Sequence, residues 1–518
     1  MNAPLTPQKL ANPKQSNTAH DKVPDHDVAQ LLAKRLRSDT QGEVLWSAAD
    51  KGRYSTDASI YQIKPVGVLV PKSINDVRVA LDICRDLEVP IVPRGGGTSQ
   101  CGQTVGVGLV IDYSKYINKV SHLDLNNQTV EVQPGVVLDH LNAGLKQHGL
   151  WYPVDVSTSA QATLGGMAGN NSCGSRSLAY GNMVHNVEAI TTLLSNGECV
   201  EFGPYDTSSG RARQIGDFLK GLAHELKPEI ESRWPKVLRR VAGYNLDIFH
   251  PQSEKPYSSN GGVNLSHLFV GSEGTLGLTQ SIKLRLSKTA QTKVLGVVNF
   301  PTFYAAMDAP QHIVKMGGAL LSAVELVDRT MIELSLQNPA FAPTIRTALS
   351  PHINNGQPAA VLLVEFSGDS KEELLGKLSE LVELMGDLGL PQSVVEMVDA
   401  GAQKNLWEVR KAGLNIMMSL RGDGKPVSFI EDCAVPLESL AEYTQALTEV
   451  FEKNGTHGTW YAHASVGTLH VRPILDMRRQ GPSKMRAIAE EASSLVAKYK
   501  GAYSGEHGDG LCRGEWIE

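Results

Sequence analysis

The sequence lacks several features that would assign a class directly. Its six cysteines form no C-x-x-C pair, which excludes zinc-ribbon, thioredoxin and local iron–sulfur motifs within these 518 residues. No apolar run reaches the length of about 18 residues that a membrane span needs, and the first residues show no signal-peptide pattern. A formal charge of only −6 gives the chain no general attraction to nucleic acid or anionic membrane. We therefore expect a cytoplasmic protein without a nucleic-acid partner or membrane span, and leave peripheral membrane association open.

The composition is that of a globular protein with surplus glycine. Hydrophobic residues make up 41% and charged residues 20% of the chain. At roughly 150 residues per domain, the length predicts two to four domains. The 49 glycines are clustered, which indicates backbone that approaches a ligand closely rather than flexible linkers.

Hydrophobic periodicity predicts the elements of the first half. We expect a disordered tail over residues 1–26 and a helix over 28–36. A strand at 66–70, a helix capped by Ser73 and a strand at 89–93 would form a strand–helix–strand unit. Further predictions are strands within 107–138, a helix from Leu138 that ends near Gly149, and a strand over 187–195.

The pattern changes near residue 288, where we place a domain boundary. Before it, a stretch at 214–231 places Phe218, Leu222, Leu226 and Ile230 four residues apart, which predicts a helix. After it, strands at 294–300 and 359–366 alternate with amphipathic helices, most clearly at 371–385.

Three glycine clusters are the first candidate functional segments. Arg94–Ser99 follows a predicted strand, and consecutive glycines there would let backbone N–H groups face a pyrophosphate. Position 100 is Gln, so the dinucleotide fingerprint G-x-G-x-x-G fails, and a tight surface loop is an equal alternative for this cluster alone. The other clusters lie in the charge-poor segment 153–187 and in 271–277. Buried irregular backbone has to be satisfied elsewhere, and a large polar ligand does that.

Taken in order, PRGGGTS, P-x-D-x(3)-S-x-x-A-x-x-G-G, Y-G-N and LFVGSEGTLG resemble the vanillyl-alcohol-oxidase type of FAD-binding fold. Within it, residues 50–518 resemble the D-lactate/D-2-hydroxyglutarate dehydrogenase branch. The resemblance implies an α+β fold, in which a two-subdomain FAD-binding domain carries a cap domain with an antiparallel sheet covered by helices. The implied division is 1–50 tail and helix, 51–288 FAD-binding domain, 289–500 substrate (cap) domain, and 501–518 a catalytic segment that returns to the flavin.

The same resemblance implies the FAD contacts. Some relatives tether FAD to a histidine in the first loop, but no histidine lies between residues 90 and 107, so non-covalent FAD is implied. The residues that match the three contact segments are Arg94, Gly95, Gly96, Gly97, Thr98, Ser99, Gln103, Thr104, Pro153, Asp155, Ser159, Gly165, Gly166, Gly169, Asn171, Ser172, Glu273, Gly274, Thr275 and Gly277.

Two segments near the C-terminus, 461–473 and 503–510, carry histidines and acids. His463 and His470 are seven residues apart, so a strand–turn–strand would be needed to join them, and Gly467 allows the turn. A structural histidine pair is the alternative, but the E-H-G sequence favours a function. The resemblance implies that His463, His470 and Glu506 bind a divalent metal, zinc first and manganese second. The family often reads G-D-G-N-L-H where this chain has S-V-G-T-L-H, so the metal's identity stays open.

The implied reaction oxidises a D-2-hydroxy acid, D-2-hydroxyglutarate before D-lactate. A hydride would leave C2 for flavin N5, and His507 would accept the hydroxyl proton. Arg410 matches a family arginine near the substrate carboxylate. Lys425, Arg472 and Tyr244 are weaker candidates for gripping the distal end, with a surface role equally open.

Two other classes remain: a non-catalytic flavoprotein subunit, and a zinc hydrolase that uses His463, His470 and Glu506 without flavin. The chain stops where relatives continue, and it is most similar to long bacterial forms with an iron–sulfur domain. We expect the cluster to lie in such a missing C-terminal region, with electrons leaving through it or through a separate carrier. A homo-oligomer is left open.

Overall fold

The computed structural model describes residues 24–250, 255–258 and 260–517. The first region, up to Lys288, alternates short helices and strands. Its helices are α1 (His26–Asp39), α2 (Ala48–Arg53), α3 (Ile74–Asp86), α4 (Leu138–Leu145), α5 (Leu164–Asn170), α6 (Ser177–Tyr180), α7 (Met183–Asn186), α8 (Gly210–Glu225) and α9 (Lys227–Arg233). Its strands are β1 (Glu43–Leu45), β2 (Gly67–Val70), β3 (Ile91–Arg94), β4 (Leu109–Asp112), β5 (Val120–Asp124), β6 (Thr129–Val132), β7 (Leu150–Trp151), β8 (Val187–Leu193), β9 (Cys199–Phe202), β10 (Leu278–Arg285) and β11 (Ser287–Lys288).

The second region has longer strands and helices. Its strands are β12 (Thr292–Phe300), β13 (Leu321–Asp328), β14 (Ala360–Gly368), β15 (Val394–Met397), β16 (Lys425–Pro426), β17 (Gly458–His463) and β18 (Thr468–Leu475). Its helices are α10 (Phe303–Gly317), α11 (Arg329–Gln337), α12 (Ala342–Ala348), α13 (Lys371–Asp387), α14 (Ala400–Lys411), α15 (Gly413–Met418), α16 (Leu440–Lys453), α17 (Gly481–Lys498) and α18 (Gly510–Arg513).

Two larger sheets shape the first region, beside a two-stranded pairing of β7 with β11. One has the order β1-β2-β4-β3, with β2 and β3 parallel to β4, and the other is antiparallel in the order β5-β6-β10-β8-β9. The predicted cap of α3 is confirmed, because Ser73 and Asp76 form a capping box. Since β3 ends at Arg94, the first glycine segment leaves the carboxyl end of a sheet strand, where ligands are commonly bound.

A seven-stranded antiparallel sheet forms the second region, in the order β15-β12-β14-β13-β17-β18-β16. Along β12, Val294 and Val298 pack with the buried leucines of α13, whereas Leu295 and Val297 pack on the opposite face with α11 and α14. Both faces are apolar because helices cover both. The predicted stripe of α13 is confirmed, and Leu374, Leu378, Leu381 and Met385 are buried. The expected cap with an antiparallel sheet is therefore present.

The predicted helix over 214–231 is present as two helices, α8 and α9, which meet at Leu226. Phe218 is 70% exposed and Leu226 is 38% exposed, because positions four apart drift around a helix of 3.6 residues per turn. The buried side of α8 consists of Ala212, Gly216 and Ala223. The helix also ends before α9, which carries Pro228 in its first turn.

The predictions of a disordered tail and of the domain bounds are not tested by the helices and strands described above. Most of the predicted disordered tail, residues 1–23, lies outside the described residues. The domain bounds at 50, 288 and 500 stay proposals. Among the described residues, no helix is both long and apolar enough to cross a membrane.

Candidate active site

One cavity of about 1170 Å³ is lined by residues of both regions. All three glycine segments reach it. The predicted cofactor residues in its lining are Arg94, Gly95, Gly96, Gly97, Thr98, Ser99, Gln103, Thr104, Asp155, Ser159, Gly165, Gly166, Gly169, Ser172, Glu273, Gly274 and Gly277. The other three predicted cofactor residues, Pro153, Asn171 and Thr275, do not line it. The volume exceeds the roughly 300–1,000 Å³ of most small-molecule pockets, so it suits a dinucleotide together with a substrate.

The glycines are needed because the segments lie directly against one another. A Cβ at Gly96 would lie 2.2 Å from the carbonyl oxygen of Gln161 in the second segment. Gly274 has a φ of +78°, and its Cβ would lie 2.4 Å from Cγ of Pro93. Only glycine tolerates such approaches. The backbone of the three segments therefore forms the wall of the cavity.

Three predicted cofactor residues also hold protein segments in place. The Arg94 guanidinium donates to the carbonyl oxygens of Thr104 at 3.2 Å and Thr56 at 2.9 Å, which closes the first loop. Gln103 Nε2 donates to Glu273 at 3.0 Å and to the His507 carbonyl at 2.7 Å. The first and third glycine segments thereby position the C-terminal segment.

The predicted strand–turn–strand is confirmed. His463 ends β17 and His470 lies in β18, and Gly467 turns the chain with a φ of +66°. Glu506 reaches the pair from the C-terminal segment. Its Oε1 lies 2.9 Å from His470 Nε2, and its Oε2 lies 3.4 Å from His463 Nε2. The three side chains are buried, with one ligand atom of each within 4.8 Å of the others.

This spacing fits a shared metal ion. Bonds of about 2.0–2.2 Å from zinc to nitrogen and oxygen place neighbouring ligand atoms about 3 to 3.5 Å apart. Burial lowers the pKa of His470 to about 4, so it presents a neutral nitrogen. Burial opposes ionisation of Glu506, but His470, His463 and Arg239 outweigh it and hold the Glu506 pKa well below its usual range. A zinc ion held by these three residues would keep a fourth coordination position for water or substrate, as in catalytic zinc sites.

A second group, Glu431, His470 and His507, could also hold a metal by position. Glu431 is buried, and both of its carboxylate oxygens contact the Arg472 guanidinium. A carboxylate already paired this way is a weaker ligand than Glu506. The described contacts thus favour the His463–His470–Glu506 set.

Buried carboxylates that sequence reasoning missed orient these groups. Glu325 in β13 bonds His463 Nδ1 at 2.7 Å and Arg410 Nη2 at 2.6 Å. Asp432, with a φ of +68°, accepts from the backbone N–H groups of Glu506 and His507 at 2.7 Å each. A charged residue within the apolar strand sequence of β13 was the available signal for Glu325.

His507 lies between two carboxylates. Its Nε2 is 3.1 Å from Glu506 Oε1 and its Nδ1 is 3.1 Å from Glu431 Oε1. Burial alone would lower its pKa, but the negative charge of Asp432, Glu431 and Glu506 raises it to about 10. The imidazole faces the cavity with the three predicted metal ligands.

The predicted substrate residues are distributed unevenly. Arg410, in α14, lines the cavity and stacks over the Tyr461 ring at 4.7 Å. Arg472 bonds Glu431 and Gln100, Lys425 bonds the Leu420 carbonyl, and exposed Tyr244 bonds Thr275. These last three do not line the cavity, so their substrate role stays a prediction. Sequence reasoning missed Arg176, Lys293 and Lys404, which are cationic residues in the lining.

Comparison with known proteins agrees with this geometry. Residues 65–203 match the FAD binding domain family, and residues 289–518 match the C-terminal domain of FAD linked oxidases. The chain therefore carries an FAD binding domain followed by the C-terminal domain found in FAD linked oxidases. The solved structure of p-cresol methylhydroxylase aligns with a TM-score of 0.64, covering 93% of this chain and 90% of that one at 13% identity. It confirms the expected fold.

Two relatives are similar along most of this chain. The D-2-hydroxyglutarate dehydrogenase of Haemophilus influenzae is 28% identical over 91% of this chain and 47% of its own length. The mitochondrial D-lactate dehydrogenase [cytochrome] of Kluyveromyces lactis is 26% identical over 88% of this chain and 68% of its own. The chain thus spans about half the length of the D-2-hydroxyglutarate dehydrogenases it matches.

Proposed function

We propose that this chain is an FAD-dependent dehydrogenase that oxidises a D-2-hydroxy acid to the 2-oxo acid, D-2-hydroxyglutarate first and D-lactate second. One observation carries the proposal: the three glycine segments and the His463–His470–Glu506–His507 cluster line the same cavity. The relatives named for D-2-hydroxyglutarate and D-lactate support the choice of substrate.

The glycine segments would hold FAD without a covalent bond, and His463, His470 and Glu506 would hold a divalent metal, zinc first. Bound FAD supplies the hydride acceptor, and a bound divalent metal makes a nearby hydroxyl more acidic. Arg410 faces the cavity with a planar cation suited to a carboxylate. Glu325 fixes Arg410 and His463 relative to each other through its two oxygens.

His507 would accept the hydroxyl proton. A base has to be neutral beforehand, and positive charge placed among His463, His470 and Glu506 favours the neutral imidazole. Asp432 holds the backbone of His507, and Gln103 holds its carbonyl, so the ring is carried on an ordered segment. The electrons would leave to an iron–sulfur domain or a separate carrier.

Anaerobic flavin reduction across a panel of D- and L-2-hydroxy acids tests the proposal. We expect a yellow protein that D-2-hydroxyglutarate bleaches and the L-isomer does not. A yellow, metal-loaded protein inert to every D-isomer would indicate a non-catalytic flavoprotein. A colourless protein with bound zinc would indicate a hydrolase.

Replacement of the proposed base tests its role. His507→Ala should slow flavin reduction by about 10²- to 10⁴-fold while FAD stays bound, measured by stopped-flow absorbance. His312→Ala, on the exposed side of α10, is the control and should reduce at the wild-type rate. Undiminished reduction in His507→Ala would remove this residue from the mechanism.

A further inference from the structure

The two histidines of the candidate metal set are oriented in different ways. His463 bonds Glu325 through Nδ1 at 2.7 Å, which fixes its ring. His470 contacts Glu506 through Nε2 at 2.9 Å, but its Nδ1 is buried and has no hydrogen-bond partner among the described residues. A metal-binding histidine almost always donates its second ring N–H to an acceptor, which sets the orientation of the ring. Packing rather than a hydrogen bond therefore has to orient His470.

The ring that packs most closely on His470 is Tyr461. Tyr461 in β17 and His470 in β18 are paired across the two strands, and paired residues present their side chains on the same face of a sheet. Their ring centroids lie 4.5 Å apart at an interplanar angle of 20°. The His463 ring is farther away and nearly perpendicular, at 4.9 Å and 79°, and the His507 ring lies at 5.2 Å. Because Tyr461 is only 8% exposed, a tilt of His470 would have to displace a buried ring.

The same ring contacts Arg410, the candidate ligand of the substrate carboxylate. The guanidinium carbon of Arg410 lies 4.7 Å from the centroid of the Tyr461 ring, within the distance at which a cation is attracted to an aromatic face. Glu325 pairs with Nη2 of this guanidinium at 2.6 Å, so a carboxylate and an aromatic ring together hold the arginine. Arg410 and His470 thus share one aromatic neighbour.

We propose that Tyr461 is a positioning residue that orients His470 as a metal ligand and Arg410 as a ligand of the substrate carboxylate. This inference rests on the proposed function, which gives the two side chains these roles. Tyr461 acts through stacking with the imidazole and through attraction of the guanidinium, so its aromatic ring is needed rather than its hydroxyl group. Loss of the ring should weaken metal binding and substrate binding together.

The zinc affinity of the FAD-loaded protein tests the contact with His470 in the absence of substrate. Tyr461→Leu should raise the zinc dissociation constant about 10- to 100-fold, as loss of a residue that orients a metal ligand typically does, measured by chelator competition. Tyr461→Phe keeps the ring and should bind zinc as wild type does. Tyr205→Leu is the matched control, because Tyr205 is also 8% exposed and contacts Arg213 at 4.3 Å but does not line the cavity.

Two results of the zinc measurement would overturn the proposal. One is equal zinc affinity in Tyr461→Leu and wild type. The other is a loss in Tyr461→Phe as large as that in Tyr461→Leu, which would assign the effect to the hydroxyl group. Tyr461→Met, which also removes the aromatic ring, repeats the test should leucine impair folding.

Anaerobic flavin reduction at saturating zinc tests the contact with Arg410. The D-2-hydroxy acid that reduces wild type should bind Tyr461→Leu about 5- to 30-fold more weakly, the worth of a desolvated contact between a cation and an aromatic face. The limiting rate at saturating substrate should change less, because the contact acts on binding, and Tyr461→Phe should match wild type. Unchanged substrate affinity in Tyr461→Leu would overturn the proposal. A wild type that no D-2-hydroxy acid reduces would contradict the proposed function instead, and the zinc affinities would still decide the role of Tyr461 at His470.

Discussion

Glu506 is the residue on which the charges of the site converge. Its two oxygens contact His463, His470 and His507, and Arg239 bonds the same carboxylate. Arg239 is fully buried and also bonds Ser177 and the Gly174 carbonyl. A buried carboxylate surrounded by donors stays ionised, so Glu506 presents negative charge to the space that it shares with His463 and His470.

At the same scale, Glu325 should control metal affinity through His463. Glu325→Gln cannot accept from both His463 and Arg410, and loss of such an outer carboxylate typically weakens metal binding about 10- to 100-fold. Zinc dissociation constants of the FAD-loaded protein, measured by chelator competition, check this. Glu365→Gln is the control, because Glu365 is equally buried and paired with an arginine but bonds Arg176 instead. Equal zinc affinity in Glu325→Gln and wild type would contradict the prediction.

The sequence predicted the candidate metal ligands and base, but it did not predict the buried carboxylate that orients them. His463, His470, Glu506 and His507 lie in two short segments, so their pattern was readable. Glu325 comes from β13, far away in the chain, and meets His463 only because β13 pairs with β17. Strand pairing of that kind depends on tertiary packing, which local periodicity does not encode.

Elements of the cap meet at Asp328, which ends β13 and begins α11. Its oxygens accept from Met331 N at 2.8 Å and from Trp460 N of β17 at 2.9 Å. Burial raises its pKa to about 7, against these hydrogen bonds. One carboxyl thereby joins two strands and a helix, and its protonation state affects all three.

The stability of this junction should fall with rising pH. Between about pH 4 and pH 7 the folded state binds the Asp328 proton and the unfolded state does not, so wild type loses about 1.4 kcal/mol per pH unit relative to a non-titrating variant. The stability deficit of Asp328→Asn should therefore narrow from pH 5 to pH 8, measured by urea unfolding. Ser370→Ala removes the non-titrating cap of α13 and should show a constant deficit. If the difference in unfolding free energy between wild type and Asp328→Asn widened from pH 5 to pH 8, the pKa of Asp328 would be lowered by folding rather than raised.

The close packing of the first glycine segment against the second should be needed for FAD binding, and a substitution at Gly96 tests this. Gly96→Ala would place a methyl 2.2 Å from the Gln161 carbonyl oxygen, and that backbone has to move. We expect this variant to purify with much less FAD, measured by the 450-to-280 nm absorbance ratio. Gly144→Ala, which has open space around its position in α4, should retain its FAD. A Gly96→Ala protein with a full complement of FAD would show that the backbone can move to accept the methyl group without weakening FAD binding.

At the scale of the whole molecule, Arg176 joins the two regions. Its guanidinium bonds Asp155 at 2.6 Å and, through two nitrogens, Glu365 of β14 at 2.8 and 2.9 Å. Glu365 is 1% exposed. Ordered motifs predicted both regions, because each motif is local. The tie between them was not predicted, since it joins one residue from each.

Loss of that tie should destabilise the whole protein. Burial opposes ionisation of Glu365, but Arg176 outweighs it and lowers the Glu365 pKa to about 2. Arg176→Met leaves a buried carboxylate without its main partner, which typically costs about 3–5 kcal/mol of unfolding free energy. Because acid protonates the abandoned carboxylate, the deficit should narrow from pH 7 to pH 4. In calorimetry, the two regions of Arg176→Met should unfold in two resolved transitions, whereas in wild type the two transitions should lie closer together because the regions unfold more cooperatively.

A surface ion pair provides the comparison for this last prediction. Arg329→Met removes an exposed pair with Glu333 along α11, and such pairs are worth about 0–1 kcal/mol. The difference between the two variants measures what burial at the junction of the regions adds. Equal, small losses in both would mean that apolar packing around the cavity, rather than Arg176, holds the FAD-binding region against the cap.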